Sequence, residues 1–169
     1  INVTAETVHA LGITWPAGHL ALHPGPANES SVVRWTAPQR GQVQLAGAFV
    51  GLAGRATTDV HVRHNDRTLF DGFVNLHGSP NEFRFSKTLS AAQGDTLDLV
   101  VGTGTGHYGG DTTGLSVTIE AAEKTYDATA QFSMEANPNG PWSYGYTAPE
   151  TTTFVLYSAD EGRPPVGSL

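Results

Sequence analysis

From Ser31 to Glu120 apolar and polar residues alternate in short runs broken by Gly, Pro, Asn or Asp, the pattern of strands with one buried face. In the run 32–37 the side chains of Val33 and Trp35 point one way, and in 42–50 the inward set is Val43, Leu45, Gly47 and Phe49. Further along, Val60 and Val62 alternate with His61 and Arg63, Phe83 and Phe85 with Arg84 and Ser86, and Leu97, Leu99 and Val101 with Asp98. Leu115, Val117 and Ile119 alternate with Ser116 and Thr118. Turn chemistry separates these runs: Pro38-Gln39-Arg40-Gly41, a hairpin tip at Asn65-Asp66-Arg67, and Gln93-Gly94-Asp95-Thr96. No stretch carries a helical period. About eight or more short strands, each apolar on one face, must pack as two sheets, so the expected fold is an all-β, antiparallel two-sheet β-sandwich of jelly-roll type. An immunoglobulin-like topology is the alternative.

After Ala121 the chain becomes richer in Pro, Thr and aromatic residues. Asn137-Pro138-Asn139-Gly140-Pro141 reads as a loop, and Trp142–Tyr146 and Thr151–Tyr157 read as strands. The domain expectation is a single module over 1–158, made of a body (1–122) and completing strands (125–158), followed by a flexible tail over 159–169.

Composition narrows the partners. Only 15% of the residues are charged, with 20 Gly and 10 Pro, which suits many short strands. A formal net charge of -7 works against nucleic acid and anionic membrane, because both need clustered Lys and Arg. No apolar run approaches the ~20 residues that span a bilayer, so no membrane insertion is expected. The absence of cysteine removes disulfides, thiolate metal sites and thiol nucleophiles. The opening Ile1-Asn2-Val3-Thr4 lacks the regions of a signal peptide, and a mature or excised fragment is expected.

Catalytic motifs are missing: there is no Gly-x-Ser-x-Gly, no His-Glu-x-x-His and no phosphate loop with Lys. A glycosidase needs only two facing carboxylates, and a pair such as Glu82 with Asp98 is formally open but arbitrary. The seven histidines do not suggest a metal centre. His19 and His23 share a face but lie about 13 Å apart along a strand, and His61 and His64 point to opposite faces.

Three segments carry a resemblance. The first is Leu22-His23-Pro24-Gly25-Pro26 with Val32-Val33-Arg34-Trp35-Thr36-Ala37-Pro38. The second is Gly94–Gly102 closed by Asp111-Thr112-Thr113-Gly114-Leu115, and the third is Asn137–Tyr146. Together they resemble extracellular bacterial jelly-roll modules often grouped with carbohydrate-binding modules. The resemblance implies a secreted, extracellular protein whose partner is a polysaccharide, with plant cell-wall or microbial glucan as the ligand class. In such modules the segment like Asn137–Tyr146 precedes the one like Leu22–Pro38, and here the order is reversed. The tail is therefore expected to take the place of missing first strands, in its own molecule or in a strand-exchanged dimer.

Sugar recognition works by stacking a pyranose face on an aromatic ring while polar neighbours bond the hydroxyls. Trp142, Tyr144 and Tyr146 stand at i, i+2 and i+4, so on a strand they share one face at about 7 Å spacing. Either they form such a platform or they are core residues. Trp15, next to Pro16, and Tyr108, in the Gly-rich loop 102–110, are loop-borne candidates, and His107 beside Tyr108 is placed to bond a hydroxyl. The resemblance also implies a structural calcium ion, for which Asp95, Asp98 and Asp111 are the candidate ligands. The plainer reading has Asp95 and Asp111 capping turns and Asp98 on a wet face. A structural or protein-binding spacer in a surface array is the rival function, and a small polysaccharide-active enzyme the third.

Overall fold

The computed structural model describes residues 6–10, 12–54, 56–75, 81–149 and 151–158. A small hairpin, β1 (Val8–Ala10) with β2 (Ile13–Trp15), forms a two-stranded sheet of its own. The body follows as β3 (Leu20–Leu22), β4 (Ser30–Thr36), β5 (Gly41–Gly51), β6 (Thr57–His64), β7 (Arg67–Asn75), β8 (Glu82–Ala91), β9 (Thr96–Val101) and β10 (Thr113–Ala121). The tail adds β11 (Lys124–Asp127), β12 (Trp142–Thr147) and β13 (Phe154–Leu156). The described residues contain no helix.

Body strands pair as nested antiparallel partners: β3 with β10, β4 with β9, β5 with β8 and β6 with β7. Lateral pairing of β5 with β10 and of β6 with β9 then gives the two facing sheets of a jelly roll. The tail extends both sheets. β11 joins β10 beyond the short reach of β3, β12 pairs along β4, and β13 pairs with β12, which makes sheets of five and six strands. The strands after Ala121 are thus additions to a body that already forms the complete nested set, and they do not replace missing members of it.

The core is built from the alternation read in the sequence. Trp35, Phe49, Val60, Val62, Leu99, Leu115 and Ile119 are fully buried between the sheets. Each such side chain contributes about 1.5–3 kcal/mol by leaving water. On the outer face of the six-stranded sheet Arg34 donates to both oxygens of Asp98, at 2.6 and 2.7 Å, and the Phe154 ring covers the guanidinium at 4.3 Å. The nested connectivity brings the turns β3–β4, β5–β6, β7–β8 and β9–β10 to one end of the sandwich. Most of the β7–β8 turn lies outside the described residues.

Candidate functional site

The tail aromatics form no open platform. Trp142 is 0% exposed and Tyr144 8%, both within the core cluster. The physical reason is the position of β12, which lies between β4 and β13 and turns its aromatic face toward the other sheet. Their polar atoms are satisfied inside. Trp142 Nε1 donates to Gln131 Oε1 at 2.9 Å, and the Tyr144 hydroxyl donates to the Ala128 carbonyl at 3.2 Å. Burial pushes the Tyr144 hydroxyl well above the usual tyrosine range. Tyr146 is half-buried and stacks on Tyr157, with ring centroids 5.7 Å apart. Trp15, on the separate β1–β2 hairpin, is half-buried opposite Val8.

The three aspartates do not converge on one ion. Asp95 sits at the end of β9 opposite to Asp111, where it closes the turn by accepting from Ala92 N, Asn65 Nδ2 and His64 Nε2. Those donors hold its carboxyl below the usual range. Asp98 is 4% exposed and both of its oxygens are taken by Arg34. No group of His, Asp or Glu among the described residues is arranged to hold a metal. A calcium ion needs several oxygens around one point, which these three carboxylates do not jointly supply, and capping and ion-pair roles account for Asp95 and Asp98.

Asp111 differs. It is fully buried at the loop end, where Oδ1 accepts the Thr57 amide at 2.8 Å, while Oδ2 has no hydrogen-bond partner among the described residues. Buried polar atoms are nearly always paired, so this oxygen asks for a reason. Burial pushes the Asp111 carboxyl above the usual range, against the pull of the Thr57 amide and the nearby His23 ring.

Around it the β3–β4 and β9–β10 loops bring rings together. His107, exposed, stacks on half-buried Tyr108 with centroids 4.4 Å apart, and Tyr108 meets the edge of His23 at 6.0 Å. Each ring is oriented by backbone: Gly109 N donates to His107 Nδ1, His23 Nδ1 donates to the Pro24 carbonyl, and Asp111 N donates to the Tyr108 carbonyl. The loop end therefore unites Tyr108, His107 and Asp111 from the sequence reading and adds His23 and Thr57. Next to them on β6, Asp59 and His61 form a further polar pair, with Nε2 2.7 Å from Oδ2.

Away from the loop end, a concavity of about 570 Å³ crosses the outer face of the five-stranded sheet. Its floor is made of small side chains such as Ala46, Ala48 and Ser116, with Arg84 and Asp127 toward the sides. It offers no exposed ring for stacking. Glu82 pairs with Arg84 at 2.8 Å, and Asp98 with Arg34 at 2.6 Å.

Sequence reasoning missed the polar residues that anchor the tail. Asn137 donates to the carbonyls of Tyr144 and Tyr157 and accepts the Tyr144 amide, while Gln131 bridges Trp142 and the Asp127 amide. Only the placement of both residues in a turn-rich segment hinted at this, and their partners lie up to 20 residues away. Compared with known proteins, the chain matches no protein-family model and no curated protein.

Proposed function

We propose that this chain is a non-catalytic module of a secreted bacterial protein that binds polysaccharide at its loop end. One observation carries the reading: the His107–Tyr108 ring stack reaches solvent beside a buried carboxyl, Asp111, with an unpaired oxygen. A ring face takes the apolar side of a pyranose and the exposed imidazole of His107 takes its hydroxyls, a mostly apolar site with a few placed polar groups, while buried Asp111 fixes the loop from beneath through the Thr57 amide. The net charge of -7 suits a neutral glycan better than an anionic polymer.

Burial of the largest rings supports a second reading. Trp35 and Trp142 are both 0% exposed, which fits a structural or protein-binding spacer that has no need of an aromatic platform. Affinity electrophoresis of the intact chain through plant and microbial polysaccharides, with Tyr108→Ala and His107→Ala alongside, separates the two. The binding reading expects retardation by at least one neutral glycan and its loss in Tyr108→Ala. No retardation across the set supports the spacer.

A further inference from the structure

His61 stands on the outer face of β6 between two carboxylates. Its Nδ1 lies 2.6 Å from Asp71 Oδ1 on β7, and its Nε2 lies 2.7 Å from Asp59 Oδ2. A ring that donates from both nitrogens is an imidazolium. Asp59 in turn ties down the loop that carries His107 and Tyr108. Its Oδ1 accepts the Gly104 amide at 2.6 Å, and its main-chain carbonyl accepts the Gly102 amide at 2.9 Å. Gly104 has φ +61°, and a side chain there would run into the Thr57 carbonyl, so the loop lies flat on the start of β6. The far end of the same loop is fixed by Asp111 on the Thr57 amide.

We propose that Asp71, His61 and Asp59 form a proton-operated clamp that holds the loop 102–111 against β6 while His61 is charged and loosens it when His61 loses its proton. As control of ligand binding, this rests on the reading that the loop carries the site. Asp59 is a carboxylate only 39% exposed. Burial disfavours its charge, and the His61 imidazolium offsets that cost. Once the ring is neutral, one of its nitrogens faces a carboxylate without a proton. Asp59 then gains by turning to water and away from Gly104, pushed further by the nearby Asp111 carboxyl.

The surroundings set the direction. Asp59 on its own strand and Asp71 across on β7 favour the charged ring, while burial and Arg63 on its own strand oppose it. On the β9 side His61 faces Val100, and Asp98 beyond is engaged by Arg34. The carboxylates outweigh the opposition, and His61 titrates above the ordinary histidine value.

Nuclear magnetic resonance on the full ¹⁵N-labelled chain tests the clamp without any ligand. The His61 ring and the Gly102 and Gly104 amides are followed from about pH 5.5 to 9.5, a range that brackets the ordinary histidine value of about 6.5. The clamp requires both amides to move with the midpoint of His61, and that midpoint to lie above the ordinary value. Asp71 is 68% exposed, so Asp71→Asn spares the fold, and it should lower the His61 midpoint and carry the Gly104 transition with it. A Gly104 amide that stays still through the His61 titration, or keeps its midpoint in Asp71→Asn, overturns the proposal. Glycan retention is read separately, so a working clamp without a ligand and a ligand without a clamp are distinguishable results.

Discussion

Two groups of aromatic residues in this molecule look alike on paper and behave oppositely. Trp142 and Tyr144 alternate along β12 and end inside the sandwich, whereas His107 and Tyr108 are neighbours on an irregular loop and reach solvent. Alternation establishes that residues share a face, but the place of the strand decides which face is covered. β12 is an interior strand of its sheet, and its ring face meets the opposite sheet. The loop 102–111 is irregular, and its rings pack on one another and on His23. Exposure, rather than ring size, separates a candidate ligand platform from a core residue.

The contrast breaks most sharply in stability. Trp142→Ala should destabilise the fold by about 3–5 kcal/mol, because it empties a fully enclosed site and removes one of the two donors to Gln131 Oε1. Urea denaturation gives the value, and a cost below about 1 kcal/mol would return Trp142 to the surface. Tyr108→Ala should cost about 1 kcal/mol or less, since the ring is only half-buried. A finer probe is Tyr144→Phe, which keeps the ring and leaves the buried Ala128 carbonyl without its hydroxyl donor. The expected loss is about 1 kcal/mol in the same denaturation series.

The smallest expected effect is the dependence of stability on pH, and its sign follows from Asp59 and His61. The carboxyl of Asp59 is held below its usual range, first by the His61 hydrogen bond, so its contribution is present above the unfolded value and lost as pH falls through the folded one. His61 is raised, first by Asp59, so its contribution is full below the unfolded value and lost as pH rises through the folded one. Asp111 is raised by burial, so its ionisation also lowers stability on the alkaline side of the carboxylate range. From Asp59 and His61 a plateau is expected between the carboxylate range and a point above the ordinary histidine value. Thermal melts of the chain and of His61→Gln across pH check this. The variant should lose the alkaline shoulder, and an unchanged profile would remove His61 from the account.

Much of the fold was legible because buried and wet faces alternate so regularly. Val33 with Trp35, Val60 with Val62, and Leu97 with Leu99 were assignable to one face from spacing alone, and all are buried. Strand partners were not legible. Nothing local says that β4 accepts β9 on one edge and β12 on the other, since the first pairing brings together residues such as Thr36 and Thr96 and the second residues as distant as Trp35 and Trp142. The site divides the same way. His107, Tyr108 and Asp111 stood out in or beside a Gly-rich loop, yet their association with His23, Thr57 and Asp59 depends on the nested pairing that gathers distant turns at one end. The Asp59–His61 pair sat in plain view on the polar face of β6, and only the third partner, Asp71 across the hairpin, shows its use.

The central claim, that ligand contact belongs to the loop end and not to the aromatic strand of the tail, has a direct test. A glycan that retards the chain in affinity electrophoresis is titrated into ¹⁵N-labelled protein while every backbone amide is followed. The account predicts shifts concentrated at His23, Thr57, Gly104 and His107–Asp111, with β12 unmoved. Shifts centred on Trp142–Tyr146, or along Ala46, Ala48 and Ser116 on the five-stranded sheet, with the loop end silent, would contradict it.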